Sequence, residues 1–178
     1  WCGFNDTRHI SVLLKNKITL HNFYVPAGGD IPDEKKNSKF EHKIKFVKEM
    51  TSYFKKDKIE NRILVGDLNI APYENDVWSH KQLLNVVSHT RIETDILKKL
   101  LNDGKWVDIM RKFVPLEEKL YSWWSYRNRD WKVSNRGRRL DHIWLSEKLV
   151  KAAKKMEVYK ELRDWERPSD HVPIMLDI

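Results

Sequence analysis

An amphipathic helix between two strand-like segments constrains the fold of this chain more than any other feature of its sequence. Residues 18–25 alternate between apolar and polar side chains, which predicts a strand with one buried face. Ser38 and Glu41 then form a capping box for a helix over residues 39–56, and residues 63–65 read as an apolar strand buried on both faces. This succession predicts a crossover unit in a layered α/β domain, with ligand groups at the strand ends.

The rest of the sequence adds further strands and one more long helix. Thr90 and Glu93 form a second capping box, for a helix that Gly104 ends. Periodicity is poor between residues 106 and 137, which predicts long surface loops. The other predicted elements are a hairpin partner strand over 10–14, a short strand near 122–127, strands over 140–145, 156–159 and 172–178, and a short helix from Ser146.

Length and composition favour a single packed domain. A chain of 178 residues with 40% hydrophobic side chains suffices for one core, and we expect residues 1–178 to form it. No apolar run approaches the roughly 18–20 residues that a membrane span requires, so we expect no membrane association. Cys2 is the only cysteine, so an internal disulfide is excluded, which is usual in a reducing cytoplasm.

The charge of the chain points to a polyanionic partner. Its 34 basic and 26 acidic residues give a net charge of +8. Residues 119–142 contain seven basic and two acidic side chains, a net charge of +5, and five aromatic residues are interleaved with them. A basic segment rich in aromatic residues is typical of nucleic-acid binding.

Several polar side chains follow or precede predicted strands. Asp67 and Asn69 come directly after the buried strand, where a two-residue period would place both in one cleft. Each such residue also has a purely structural explanation: an Asp can cap a turn or pair with an Arg, and a lone Tyr commonly packs in a core. The whole set is Tyr24, Asp67, Asn69, Asp141, Asp170 and His171. Together they provide a base, an imidazole, phosphate donors and a metal-binding carboxylate, which phosphodiester hydrolysis requires.

The order of five short segments resembles that of a known family. These segments are residues 22–26, 66–69, 122–127, 135–141 and 168–171. They resemble the exodeoxyribonuclease III branch of abasic-site endonucleases, within the endonuclease/exonuclease/phosphatase superfamily. The resemblance implies a four-layer α/β sandwich, in which two packed mixed sheets are flanked by helices and the active site lies at one edge between them.

The resemblance also implies a role for each site residue. Asp67 would orient and deprotonate the attacking water, and Asn69 would hold the phosphate beside it. His171, held by Asp141, would contact the scissile phosphate, and Tyr24 would bind the phosphate or support the leaving oxygen. The implied ligands of Mg²⁺, which Mn²⁺ could replace, are Asp67, Asn69 and Asp170. The implied contacts to double-stranded DNA with abasic or 3′-damaged ends come from Trp123, Arg127, Arg129, Asn135, Arg136 and Arg139.

Two departures from the family pattern lead to further expectations. The family's first part, with an early Asn and the Glu that is its main metal ligand, has no counterpart before Trp1. We therefore expect a monomeric parent protein and a weak or inactive fragment that self-associates through uncovered sheet edges. The second departure is Arg138, which occupies a position near the abasic pocket where relatives often have an apolar or aromatic residue.

Two other functions remain open from the sequence. A phosphatase or lipid phosphodiesterase of the same superfamily would have similar Gly-Asp-Leu-Asn and Ser-Asp-His elements, although the basic segment 119–142 favours DNA. Alternatively, the fragment could be a catalytically dead DNA-binding module. A purely structural domain would leave the convergence of Asp67, Asp141 and His171 unexplained.

Overall fold

The computed structural model describes residues 1–57, 59–128 and 130–178, which form a mixed α/β fold around a five-stranded sheet. The strands of the main sheet lie in the order β1-β2-β3-β7-β4, and two further sheets have two strands each, β5-β6 and β8-β9. The strands are β1 His9–Leu13, β2 Thr19–Tyr24, β3 Arg62–Asp67, β4 Trp106–Asp108, β5 Trp123–Trp124, β6 Gly137–Arg138, β7 Asp141–Ser146, β8 Lys155–Val158 and β9 Ile174–Asp177. The helices are α1 Ser38–Lys56, α2 His80–Leu83, α3 Arg91–Asp103, α4 Ile109–Phe113 and α5 Trp131–Ser134. Three 3-10 turns cover Glu74–Asp76, Glu147–Ala152 and Lys160–Asp164.

The predicted crossover unit is confirmed, and it determines where the polar strand ends meet. Strand β2 runs parallel to β3, so that Tyr24 lies beside Asp67 in the register. Strand β7 is antiparallel to β3 and begins with Asp141 directly opposite Asp67. The carboxyl ends of two strands and the amino end of a third therefore meet at one edge of the sheet.

The two faces of the main sheet are covered by different elements. On one face, Phe23, Leu64 and Trp144 pack with Val47 and Met50 of α1 in a core of side chains that are at most a few per cent exposed. On the other face, Ile63, Ile143 and Leu145 pack with residues of α4, β8 and β9. Helices on one side and a small sheet on the other confirm the layered α/β class expected from the sequence.

Apolar side chains remain exposed on the edge strand β1. Ile10 is 61% exposed and Val12 is 48% exposed. Both lie opposite Asn22 and Leu20 of β2, on the same face as Ile63. Self-association through such a surface stays a prediction.

Some element boundaries differ from those predicted. The cap of α1 is Asn37, whose Oδ1 accepts the backbone N–H groups of Lys39 and Phe40, so the predicted capping box at Ser38 is wrong. The capping box of Thr90 and Glu93 is present at the start of α3. The predicted loop region 106–137 in fact contains β4 and α4, which are three and five residues long and too short to show periodicity.

A buried ion network ties the start of β7 to the core. The guanidinium of Arg139 is fully buried and donates to both carboxylate oxygens of Asp76, at 2.7 and 2.9 Å. Its Nη1 atom also lies 2.8 Å from Oδ2 of Asp108. Arg111 adds a second guanidinium to Asp76, with its Nη2 atom 2.6 Å from Oδ1. These contacts fix the chain immediately before Asp141.

None of the helices in the described part of the chain has the length and apolar character needed to cross a membrane.

Candidate active site

A cavity of about 650 Å³ opens at the sheet edge where β2, β3 and β7 meet. Its wall includes five of the six polar residues singled out at the strand ends, namely Tyr24, Asp67, Asn69, Asp170 and His171. The sixth, Asp141, contacts His171 from behind. The fold therefore brings the whole set together, although its members are far apart in the sequence.

Glycine at position 66 allows Asp67 to reach the cavity. Gly66 has a φ of +128°, and a Cβ atom there would lie 2.0 Å from the carbonyl oxygen of Phe23. Any other side chain would therefore collide with the backbone of β2 and displace the end of β3. The Gly-Asp pair is thus a structural requirement of the strand end as well as a part of the site.

Asn69 lies in the left-handed region, with a φ of +53°, so strand alternation does not explain its direction. Its backbone N–H donates to Oδ1 of Asp67, and its Nδ2 donates to Oδ2 of Asp67 and to the carbonyl of Val25, all at 2.9 Å. The side chain of Asn69 therefore holds the Asp67 carboxylate in a fixed orientation.

A buried ion pair supports Asn69 from the helical side. Lys43 of α1 is fully buried, and its Nζ atom donates to the carbonyl of Asn69 at 2.8 Å and contacts Oε1 of Glu93 at 2.5 Å. Burial lowers the pKa of Lys43, whereas the charge and hydrogen bond of Glu93 act in the opposite direction. A cation from the core thus stabilises the loop that carries Asn69, the residue that holds the Asp67 carboxylate.

The pKa of Asp67 is unusually high for an aspartate. Burial raises its pKa from 3.8 to about 6, and the charge of Asp141 opposite it acts in the same direction. The positive field of His171, the N–H of Asn69 and Lys43 oppose this shift. A carboxylate with a pKa near 6 is mainly ionised at neutral pH and is still a useful base.

His171 lies between two carboxylates. Its Nδ1 atom is 2.7 Å from Oδ2 of Asp141, and its Nε2 atom is 4.0 Å from Oδ2 of Asp67. Burial alone would lower the pKa of His171, but the hydrogen bond and charge of Asp141, with the charges of Asp67 and Asp170, raise it. The acceptor at Nδ1 orients the ring so that Nε2 is directed towards Asp67.

Aromatic and hydroxyl groups complete the wall of the cavity. The Nε1 atom of Trp123 donates to Oδ2 of Asp170 at 2.9 Å, so this partly buried indole also orients a carboxylate. Tyr24 is 54% exposed and is not a core residue, and the guanidinium of Arg8 lies 5.2 Å from its ring centre. A phenol in that position is free to bind a ligand in the cavity.

Three arginines give the cavity a positive rim. Arg127, Arg136 and Arg138 all line it. The guanidinium of Arg136 lies 4.7 Å from the ring centre of Trp78, and that of Arg138 lies 5.4 Å from the ring centre of Trp123. Arg138 also donates to the carbonyl of Val87 and to Oγ of Ser88. The rim therefore offers positive charge stacked on aromatic faces.

The predicted DNA contact through Arg139 is wrong. Its side chain is 0% exposed and its donors are directed at Asp76 and Asp108, so it cannot reach a phosphate at the surface. Sequence reasoning grouped it with the neighbouring exposed arginines because burial of a charge depends on acidic partners that are distant in the chain.

Another predicted DNA contact, Asn135, lies outside the cavity wall. Asn135 is exposed, and its Oδ1 accepts the indole N–H of Trp124 at 3.1 Å. Its φ of +39° also shows that it ends α5 as a left-handed residue. Arg129 lies outside the described residues.

Three contributors were missed by the sequence analysis. Trp78 lines the cavity from the segment between β3 and α3, for which the sequence predicted no element. Lys43 lies on the amphipathic helix α1, where a lysine is ordinarily exposed. Ser122 is fully buried beside Asp141. No local pattern distinguishes these residues, since their roles depend on contacts across the fold.

The predicted metal ligands do not form a complete metal site. In the described ranges 1–57, 59–128 and 130–178, no three acidic, histidine or cysteine side chains are grouped so that they could hold a metal ion. Asn69 donates to both oxygens of Asp67, and Trp123 donates to Asp170. Asp67 and Asp170 could each supply an oxygen to a divalent ion, but further ligands would have to come from elsewhere.

Comparison with known proteins identifies the family. The model of the Endonuclease/Exonuclease/phosphatase family matches residues 51–171, which include Asp67, Asp141 and His171. This chain belongs to the endonuclease/exonuclease/phosphatase family. Within the family, it is 32% identical over 164 residues to exodeoxyribonuclease III of Haemophilus influenzae. That alignment covers 88% of the chain and 60% of the relative, so the chain spans less than two thirds of the relative's length.

Solved structures of family members have the same fold. A 3′ phosphatase from Neisseria, bound to a product DNA hairpin, superposes with a TM-score of 0.89 and is 26% identical. The match covers 99% of this chain and 66% of that protein. An AP endonuclease from Archaeoglobus fulgidus superposes with a TM-score of 0.86 and 27% identity, over 96% of this chain and 65% of that one. The predicted α/β fold and the resemblance stated from the motifs are both confirmed.

The raised pKa of Asp67 predicts a specific pH dependence of stability. Because the folded pKa of about 6 is above the ordinary value of 3.8, folded protein binds this proton more tightly than unfolded protein does. This group therefore makes the free energy of unfolding fall as the pH rises from 4 to 6, by at most ~3 kcal/mol. Asp67→Asn and Asp67→Ala remove that contribution.

Urea unfolding of the wild type and of both variants at several pH values measures the effect. We expect both variants to become more stable relative to the wild type as the pH rises from 4 to 7. A stability difference that is constant over this range would contradict the electrostatic description of Asp67.

Proposed function

We propose that this protein is a DNA-repair phosphodiesterase of the exodeoxyribonuclease III type, which hydrolyses the DNA backbone at abasic sites and at 3′ ends. The observation that carries the proposal is the arrangement of Asp67, His171 and Asp141 in a cavity with an arginine rim. The likeness to exodeoxyribonuclease III and to an AP endonuclease structure supports it.

In this reaction Asp67 acts as the general base. Its carboxylate is held by Asn69 and faces the cavity, so it can orient a water molecule and accept its proton while the water oxygen attacks phosphorus. The pKa of about 6 suits this role, since a weaker acid would be protonated and a stronger one would bind the proton poorly. Asn69 acts through Asp67, since its backbone N–H and both Nδ2 hydrogens are donated to Asp67 and Val25.

His171 stabilises the charge that develops on the phosphate. Because its pKa is raised, it carries more positive charge near neutral pH than an ordinary histidine. A cation placed beside the phosphate lowers the barrier most when it is already in position, and the hydrogen bond to Asp141 provides that. As the bond from phosphorus to the leaving oxygen breaks, the Tyr24 hydroxyl at the cavity wall donates a hydrogen bond to that oxygen, which then takes up a proton from water.

The proposed reaction requires a divalent metal ion. Mg²⁺, or Mn²⁺ in its place, would neutralise phosphate charge, and Asp67 and Asp170 are the carboxylates of the cavity that could contact it. Since the described residues do not complete its coordination, the roles derived above are those of the protein groups alone.

The arginine rim of the cavity is the reason for proposing DNA as the partner. Arg127 and Arg136 would bind backbone phosphates, which gives affinity that falls steeply with salt and depends little on sequence. Trp123 would line the pocket for the extruded sugar, and a nucleotide without its base is the least costly to extrude.

Cleavage of a defined duplex tests the proposal. The protein as the cell makes it is incubated with a labelled duplex that contains one abasic-site analogue, in Mg²⁺ or in EDTA. We expect strand cleavage at the analogue only with Mg²⁺, and a loss of at least ~100-fold in Asp67→Ala and His171→Ala, because each removes a group from the reacting centre. Asp95→Ala, on the exposed side of α3, is the matched acidic control and should keep full activity.

The same samples are assayed with an intact duplex, a phosphoinositide and sphingomyelin. Hydrolysis of a lipid substrate with no cleavage of the abasic duplex would overturn the DNA assignment. Binding of the duplex in a filter assay without any cleavage would instead indicate a DNA-binding module.

The position of Arg138 leads us to expect a preference for 3′-phosphate ends over abasic sites. Its guanidinium lies beside Trp123 in the cavity, where it can bind a terminal phosphate better than a sugar without a base. Arg138→Leu should therefore lower the ratio of 3′-phosphate removal to abasic-site cleavage by about tenfold, the effect of one hydrogen bond to a charged group. Arg136→Leu is the matched control and should slow both reactions alike; an unchanged ratio in Arg138→Leu would contradict this role.

A further inference from the structure

Ser122 occupies an unusual position between the two segments that carry Asp141 and His171. It is fully buried, immediately before β5. Its Oγ atom accepts two backbone N–H groups, those of Leu140 and Asp141, both at 3.0 Å. One hydroxyl oxygen thus satisfies two consecutive donors at the point where β7 begins.

The backbone of Ser122 contacts both segments as well. Its N–H donates to the carbonyl of Arg138 at 2.9 Å, two residues before Leu140. Its carbonyl accepts the N–H of Val172 at 2.9 Å, which is the residue after His171. The neighbouring bond from the N–H of Trp124 to the carbonyl of Asp170 extends the same pairing. Ser122 therefore bonds to the Asp141 segment on one side and to the His171 segment on the other.

This double attachment matters because the two segments are otherwise independent in the sequence. Asp141 opens β7 of the main sheet, whereas His171 precedes β9 of a separate two-stranded sheet. The bond between them, 2.7 Å from Nδ1 to Oδ2, is sensitive to small relative movements. A buried hydroxyl with two donors is costly to remove, since both N–H groups would remain without a partner.

We propose that Ser122 is a positioning residue for the Asp141–His171 pair: its hydroxyl fixes Asp141, and its carbonyl fixes the segment of His171. It does not contact the reacting atoms and acts through the pair. A catalytic role of Asp141 and His171 rests on the proposed function. Their positioning by Ser122 does not depend on which phosphate is hydrolysed.

Removing the hydroxyl should loosen the pair. Without its acceptor, the N–H of Asp141 would seek another partner, the carboxylate would shift, and the bond to His171 would lengthen. His171 would then lose its hydrogen bond to Asp141, and its ring would lose its fixed orientation. A displacement of ~1 Å in a catalytic group is enough to slow a reaction by roughly 100-fold.

The chain provides a closely matched control in Ser146. This serine is also buried and lies at the end of β7 opposite to the one that Ser122 contacts. Its hydroxyl accepts one backbone N–H, that of Arg62, at 3.2 Å. Ser146→Ala therefore removes the same kind of bond without touching the cavity. A loss of stability alone should be similar in the two variants.

The test compares Ser122→Ala, Ser122→Thr and Ser146→Ala in the protein as the cell makes it. The hydrogen-bonded proton between Nδ1 of His171 and Asp141 is followed by NMR, and kcat and KM are measured on the abasic duplex. We expect this proton to lose its hydrogen-bonded chemical shift, and kcat to be reduced by roughly 10- to 100-fold with little change in KM, in Ser122→Ala only. Ser122→Thr, which keeps the hydroxyl, should restore both. If Ser122→Ala does not fold, Ser122→Cys replaces it, since a thiol of similar size is a weak acceptor.

The outcomes separate this inference from the proposed function. A Ser122→Ala variant that retains the wild-type kcat and the hydrogen-bonded proton between His171 and Asp141, and only melts earlier as Ser146→Ala does, would overturn the positioning role. Loss of that proton signal in Ser122→Ala, in a protein whose wild type cleaves no DNA, would support the positioning role and contradict the proposed function.

Discussion

The site depends on one buried interaction, the contact of Arg139 with Asp76 and Asp108. Burial alone would raise the pKa of Asp76, but the charges of Arg139 and Arg111 and their hydrogen bonds outweigh burial and lower it. At Asp76 the ion pairs offset desolvation because the Arg139 guanidinium donates to both of its oxygens. At Asp108 burial outweighs the charge and hydrogen bond of Arg139 and raises the pKa. Breaking the network by removing one partner would leave a charge buried without compensation, at a cost of about 3–5 kcal/mol.

The Arg139 network supports the Asp141–His171 pair through a series of contacts. Arg139 fixes the segment before β7, Leu140 and Asp141 donate to Ser122, and Asp141 in turn holds His171. On the opposite side, Gly66 allows β3 to end against β2, and Lys43 and Asn69 hold the carboxylate of Asp67. Asp67 and His171 are thus held by separate sets of contacts, and Oδ2 of Asp67 lies 4.0 Å from Nε2 of His171.

The sequence predicted those parts whose signals are local. The α/β crossover followed from the strand and helix periods, and α3 from the capping box of Thr90 and Glu93. The meeting of Asp67, Asp141 and His171 followed from motif order, because strand ends converge in this kind of sheet. What failed depended on distant partners: Arg139 was read as a surface cation because its acidic partners lie 63 and 31 residues away. Lys43, Trp78 and Ser122 gave no local signal for the same reason.

Asp67, with its pKa raised to about 6 by burial and by Asp141, must be ionised to act as the base. Titration of the Asp67 carboxylate by ¹³C NMR in the metal-free protein, from pH 3 to 8, follows this ionisation at the group itself. The midpoint should lie near 6, because burial and the charge of Asp141 both disfavour the ionised form. A midpoint near the ordinary value of 3.8, in a protein that stays folded over this range, would contradict Asp67 as a base with a raised pKa.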